Sequence, residues 1–157
     1  MTHSLVRLFG IVVFCLLLLN CSGQPDSQEK QIDGWLEKAV QATENRDASS
    51  LIELLAKNFR DKKGNNSKQI EKILRLYFFR HKNIFLMTRI QDLHFDSEDQ
   101  AYLVVYVAMA GSIISDVNLL SSLRAKIYRF DLELIKQDEW LVQSVNWQPA
   151  AASDMHL

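Results

Sequence analysis

The chain has 157 residues and a formal charge of −1, from 18 Lys+Arg against 19 Asp+Glu, so no large overall field exists to draw nucleic acid or anionic lipid. Hydrophobic residues make up 48% and charged residues 24%, the balance of a folded domain rather than of a disordered chain. The two cysteines, Cys15 and Cys21, stand so near the start that no disulfide framework or cysteine zinc cage can hold the folded part.

From Leu5 to Leu19 the sequence is almost wholly apolar, broken by Arg7 and Gly10, and the run Ile11 to Leu19 stops at Asn20. A membrane-spanning helix needs about 20 apolar residues, whereas an export signal needs a short positive start and an apolar region of about 7 to 15. Residues 1–20 therefore read as an export signal. Leu18-Leu19-Asn20-Cys21 resembles the lipobox of bacterial lipoproteins, with a leucine three residues before the cysteine. The resemblance implies a cut before Cys21, acyl chains on that residue and stable membrane attachment, since several chains exceed the two-signal requirement. Ser22 stands where an Asp marks inner-membrane retention in such proteins, so the implied site is the outer membrane, on its periplasmic side. Ser22 to Lys30 is polar and reads, with Cys21, as a short tether, and residues 31–149 as one domain.

Within that domain, Ile32, Trp35, Leu36, Ala39 and Val40 recur at the spacing of one helix face. Ser50 and Glu53 predict a capping box for a second helix carrying Leu51, Ile52, Leu54, Leu55 and Phe59. Asn66 or Ser67 predicts the start of a third, with Ile70, Ile73, Leu74, Tyr77 and Phe78 along its stripe. After Asn83 the period changes to two. Phe85 to Phe95 and Ala101 to Met109 predict one antiparallel hairpin, and Lys126 to Ile135 with Trp140 to Trp147 predict another. Residues 111–123 fit either a short helix or a loop. The tail, 150–157, is expected to fray.

Three helices before about four antiparallel strands predict an α+β fold with the helices on one face of a curved sheet. The order of elements, the aromatic-rich third helix and the closing hairpin, Tyr128 to Leu134 with Glu139 to Val142 and Val145 to Trp147, resemble the nuclear transport factor two-like (NTF2-like, or SnoaL-like) superfamily. That resemblance implies a cone whose open end holds an apolar ligand, carries catalytic groups or docks a partner, including a second copy.

Trp35, Tyr77, Phe78, Tyr106, Phe130 and Trp140 are the candidates for a ligand pocket, with core packing the competing explanation for each. His81, one turn beyond Phe78, and Asp131 are the candidates for proton transfer, with Asp92 a second carboxylate for His81 to face. Asp131 and Glu133 share a strand face with Arg129, the pattern of a surface charge ladder. His94, Asp96 and Asp99 fall near one turn, but their spacing does not define a converging metal shell. No phosphate loop, serine elbow or histidine pair at metal spacing occurs, and no cofactor or nucleic-acid partner is expected. The reading is a lipid-anchored envelope protein with a non-catalytic binding or docking domain. The alternatives are a small isomerase-like enzyme acting on a hydrophobic substrate, or an apolar-ligand carrier.

Overall fold

A computed structural model describes residues 27–155. The leader, Cys21 and most of the tether lie outside the described residues. The part from Gln31 onward is one compact unit. Its described residues build three core clusters wholly from Ile32 to Met155, so this unit carries its own core.

The elements run α1 (Gln28–Glu44), α2 (Ala48–Glu53), β1 (Leu55–Asp61), α3 (Ser67–Arg80), β2 (Phe85–Phe95), β3 (Gln100–Ala110), β4 (Lys126–Lys136) and β5 (Trp140–Pro149). Single 3-10 turns lie at Val117–Leu119 and Ala152–Met155. The α+β class, the three helices and both hairpins are as the sequence predicts. The sheet has five strands rather than four, in the order β1-β5-β4-β3-β2, and its fifth member pairs parallel to β5.

That extra strand occupies the second half of the predicted second helix. Leu51, Leu55 and Phe59 fit a four-residue helical period, but residues 55–61 run extended, burying Ala56, Phe59 and Asp61 across a register shift between Leu55 and Arg60. Edge pairing with β5 decides the matter, and α2 shrinks to six residues. Its cap is Asp47 rather than the predicted Ser50: the Asp47 carboxylate accepts the Ser49 and Ser50 amides at 3.0 and 3.1 Å. Immediately before it, Arg46 adopts φ 58°. The Asp47 amide donates to the Ala42 carbonyl at 2.8 Å and the Arg46 amide to Thr43 at 3.0 Å, the paired bonds that close a helix through a left-handed residue. Helix α3 begins with a reciprocal box in which Asn66 and Gln69 each accept the other's backbone amide.

Two one-residue bulges bend the sheet. Ile90 faces Val105 and Asp92 faces Val104, leaving Gln91 extra on β2. Glu133 faces Ser144 and Leu134 faces Val142, leaving Gln143 extra on β5. Each extra residue resets the alternation, so Ile90 and Leu93, and Val142 and Val145, all turn toward the helices. The inner face with α1 and β1 buries Ile32, Trp35, Phe59, Leu103, Leu134 and Trp140.

Residues 111–125 cross the opposite face at one end of the sheet, where Ile114 and Leu120 pack with Ala108 and Ile127. Of the tail, expected to fray, residues 150–155 instead fold onto the same patch. Met155 is buried there, and Arg89 donates to the Asp154 carbonyl at 2.9 Å. An apolar strip on the outer sheet face would otherwise meet water, so the tail gains enough burial to stay ordered.

The turn between β1 and α3 depends on Asp61, buried though charged. Its Oδ1 accepts the Lys63 and Asn65 amides at 2.9 and 2.7 Å, and its Oδ2 accepts the Asn65 side chain at 2.7 Å. Burial alone would raise its pKa, but these hydrogen bonds outweigh it and hold the carboxyl below 3.8. A depressed folded pKa gives stability that is complete above the unfolded value and lost as pH falls through the folded one. Asp61→Ala should cost about 1–3 kcal/mol, read from urea unfolding at neutral pH, because two amides lose their acceptor. In thermal melts from about pH 5 to pH 2, Asp61→Asn should lose less stability than the parent chain.

Candidate functional site

Helices α1 and α3 do not fill the concavity of the sheet. A cavity of about 380 Å³ remains between them. Helix α1 supplies Trp35, Leu36, Ala39, Val40 and Thr43, and α3 supplies Ile70, Ile73, Leu74, Tyr77 and Phe78. The sheet contributes Val105, Val107 and Met109 from β3, Tyr128, Phe130 and Leu132 from β4, and Val142, Val145 and Trp147 from β5. These sets follow from the two periods: every third or fourth residue on the helices and every second on the strands, reset by the bulge at Gln143.

The wall is almost entirely hydrocarbon and aromatic. The lining residues that carry polar side-chain atoms are Thr43, Thr88, Tyr77 and Tyr128, with the indoles of Trp35 and Trp147. Among the described residues that line it there is no carboxylate, histidine, lysine or arginine. The Trp35 Nε1–H is buried without a hydrogen-bond partner, as is that of Trp140. The Tyr77 hydroxyl reaches the Met109 sulfur at 3.9 Å. Burial, reinforced by the neighbouring Tyr128, raises the Tyr77 phenol above its ordinary value of 10.0. At neutral pH it stays protonated, able to donate a hydrogen bond but not to abstract a proton. Lys63 lies 5.6 Å above the Trp147 ring, a cation on the aromatic face from the β1–α3 turn.

Four of the six aromatic candidates, Trp35, Tyr77, Phe78 and Phe130, line this cavity. Tyr106 and Trp140 do not. Tyr106 points to the outer face and packs on the patch covered by residues 111–125. Trp140 is a core residue against Phe95, with ring centroids 6.0 Å apart. Sequence reasoning missed Tyr128 and Trp147, although period two from Phe130 reaches the first directly.

Neither proton-transfer candidate lines the cavity. His81 ends α3, its backbone amide donating to the Tyr77 carbonyl at 3.1 Å and its Nδ1 2.9 Å from the same oxygen. Its ring stacks on Tyr77 at 4.1 Å. Asp131 and Asp92 both pair in register with Val104, on the outer face. There Asp131 takes the Arg129 guanidinium at 2.8 Å and the Tyr102 hydroxyl at 3.2 Å. The Asp131 hydrogen bond is the main reason Arg129 holds its proton more tightly than usual, with burial opposing it. The same carboxylate helps raise the Tyr102 phenol, after burial. This is the charge ladder the sequence pattern describes, extended by Glu133, whose Oε2 accepts the Ser144 hydroxyl at 2.9 Å. His94 and Asp96 meet at 3.1 Å with both side chains mostly exposed. Among the described residues no group of three potential metal ligands converges.

A second depression, about 570 Å³, lies among α1, α2 and the β4–β5 turn. It is larger but polar, bridged by Lys38 and Glu139 at 2.6 Å with both side chains more than half exposed. Such a pair contributes little and encloses nothing.

Asp131→Ala should lower stability by about 1 kcal/mol, since Arg129 and Tyr102 lose a half-buried partner. It should leave any ligand binding in the cavity unchanged, and His81→Gln should do the same. Urea unfolding and a binding titration on the same samples check both.

No protein-family model matches the sequence, and no curated protein does. Solved structures do. An NTF2-like protein of unknown function from Shewanella oneidensis MR-1 superposes with a TM-score of 0.57 at 15% identity, over 77% of this chain and 98% of that one. A ketosteroid isomerase-like protein from Erwinia carotovora atroseptica gives 0.57 at 11% identity, over 80% and 99%. A proposed dehydratase of the NTF2-like family from Streptomyces avermitilis gives 0.60 at 14% identity, over 81% and 99%. At such identities the likeness concerns the backbone alone. The chain therefore has the NTF2-like fold, a cone of curved sheet closed by helices.

Proposed function

We propose that this chain is a lipid-anchored protein of the bacterial cell envelope whose cone binds an apolar ligand without converting it. The observation that carries the binding role is the cavity wall. Folding tends to cover hydrocarbon surface, yet a cleft of about 380 Å³ with an apolar wall is left uncovered between the helices and the sheet. The volume falls within the roughly 300–1,000 Å³ range of small-molecule sites. The hydroxyls of Thr43, Thr88, Tyr77 and Tyr128 supply a few donors to orient an acceptor on an otherwise hydrocarbon ligand.

The absence of chemistry at the wall supports a non-catalytic role. General acid–base catalysis needs a group near its working pKa within hydrogen-bond reach of the substrate. The cavity offers two phenols, one of them pushed further from neutrality. The isomerase-like alternative relied on His81 and Asp131, and both sit elsewhere. The outer face, the other candidate surface for a partner or second copy, is polar along Arg129 and Asp131 and covered by chain near Ala108 and Ile127. Among the described residues, the covering segment 111–125 exposes two large apolar side chains, Ile113 and Leu119, less than a broad docking patch.

Filling the cavity is the direct test. Val107→Phe and Ala39→Phe, made singly, should each weaken uptake of a fluorescent fatty acid by about tenfold or more, because the added ring occupies the ligand's volume. A variant is informative when it melts within about 5 °C of the parent, which marks an intact fold. Uptake equal to the parent in both filled variants, or no uptake by the parent, overturns the reading.

The envelope location rests on the leader. Cys21→Ser should shift the protein from the membrane fraction to the soluble fraction after cell lysis. The mature parent should start at Cys21 and carry the mass of its acyl chains. An unmodified chain that retains residues 1–20 would overturn the anchor while leaving the cavity role standing.

A further inference from the structure

Helix α3 closes one side of the cavity, and its solvent side is not the polar surface expected of such a helix. Phe79 is 86% exposed, Leu76 50% and Ile73 49%. At three-residue spacing they form one ridge, and Ile73 also lines the cavity, so the ridge begins at the cavity rim. The same stretch is strongly basic. Residues 67–82 contain Lys68, Lys72, Arg75, Arg80 and Lys82 against Glu71 alone, a net of +4 in a chain whose total is −1. Glu71 is taken by Arg75 at 2.6 Å. Among the described residues no carboxylate forms an ion pair with Lys68, Lys72, Arg80 or Lys82.

We propose that this face of α3 docks on a membrane surface bearing anionic headgroups, with Leu76 and Phe79 entering the acyl boundary and the four free cations contacting phosphates. An exposed apolar ridge flanked by Lys and Arg is the composition of an interfacial helix, whose long cationic stems reach up to the headgroups. Each cation near an anionic leaflet adds attraction that salt screens. A second copy of the chain is a poor occupant, because an isologous contact through α3 would set two faces of net +4 against each other. Continuity with the cavity gives the contact a use. An apolar ligand leaving past Ile73 meets the ridge, and in the docked state the bilayer lies beyond it, so the ligand crosses without exposure to water. This use rests on the ligand-binding reading above, whereas the contact itself does not.

The test uses a form beginning at Ser22, which lacks the leader and Cys21 and keeps every core cluster. Binding is measured by co-sedimentation with vesicles of phosphatidylcholine alone or with about one-third phosphatidylglycerol. The parent should prefer the anionic vesicles and lose affinity as salt rises. The double variant L76S/F79S should bind both vesicle types about tenfold more weakly or worse, and K72E/R80E should lose the preference for anionic ones. All four side chains are exposed and away from the cavity wall, so melting temperature and uptake of a fluorescent fatty acid in vesicle-free solution should not change. Absence of vesicle binding by the parent, or L76S/F79S binding within about twofold of it, overturns the proposal. So does a dimer in light scattering that L76S/F79S dissociates. If the vesicle pattern holds but the parent takes up no fatty acid, docking is supported and the cavity reading alone falls.

Discussion

Curvature of the sheet is the constraint on which the rest of the molecule depends. Gln91 and Gln143 are each one residue too many for their ladders, and a bulged strand bends and twists at the extra residue. With the sheet bent, two helices laid across its concave side cannot reach its floor everywhere, and a space remains where a flat sheet would allow close packing. The same extra residues reset the alternation, so Val145 and Trp147 join Val142 on the cavity side. Residues 128–134 of β4 carry no bulge and keep strict alternation, which sends Asp131 and Glu133 outward while Tyr128, Phe130 and Leu132 turn in. The separation of charged and apolar side chains between the two faces of β4 is thus a matter of register, and it places Asp131 and Glu133 on the side away from the cavity.

How far this was legible in the sequence differs by element. Helices α1 and α3 and all four antiparallel strands follow from periodicity, because each buries one face and hydrophobic spacing records that burial directly. Strand β1 was not legible. Leu51, Leu55 and Phe59 fit a helix, and only pairing with β5, more than 80 residues away, favours the extended form. Residues 111–125 and the tail were also opaque, since their order comes from an apolar strip on the outer sheet face that no local pattern announces. For the cavity, aromatic identity alone was a poor guide. Trp140 and Tyr106 have the same chemistry as Phe130 and Tyr128, and what separates them is position along the strand and side of the sheet. Parity from Phe130 assigns Tyr128, and the β3–β4 register, which sets Tyr106 opposite Arg129, assigns Tyr106 to the outer face, which makes strand register a better guide to lining residues than size or aromaticity.

Total charge was similarly uninformative. A net of −1 excludes a global field, but it is the sum of a basic helix and an acidic remainder. Local charge is what a surface presents to a partner within a Debye length, about 8 Å at physiological salt. Across that distance α3 acts as a cation whatever the rest of the chain carries.

The exposed ridge on α3 is costly in the absence of a function. Folding needs the face bearing Ile70, Leu74, Tyr77 and Phe78, and it is indifferent to Leu76 and Phe79, which contribute little to the core. A polar residue at either position would keep the helix, its Asn66 cap and its packing, and would improve solubility. A helix that served only as the lid of a closed core would therefore be expected to carry polar side chains there. Apolar side chains outside, apolar space inside and one residue, Ile73, belonging to both make a continuous hydrocarbon path from cavity to surface. Such a path is of use to a protein that works against a bilayer, where the surface it reaches is lipid and not water.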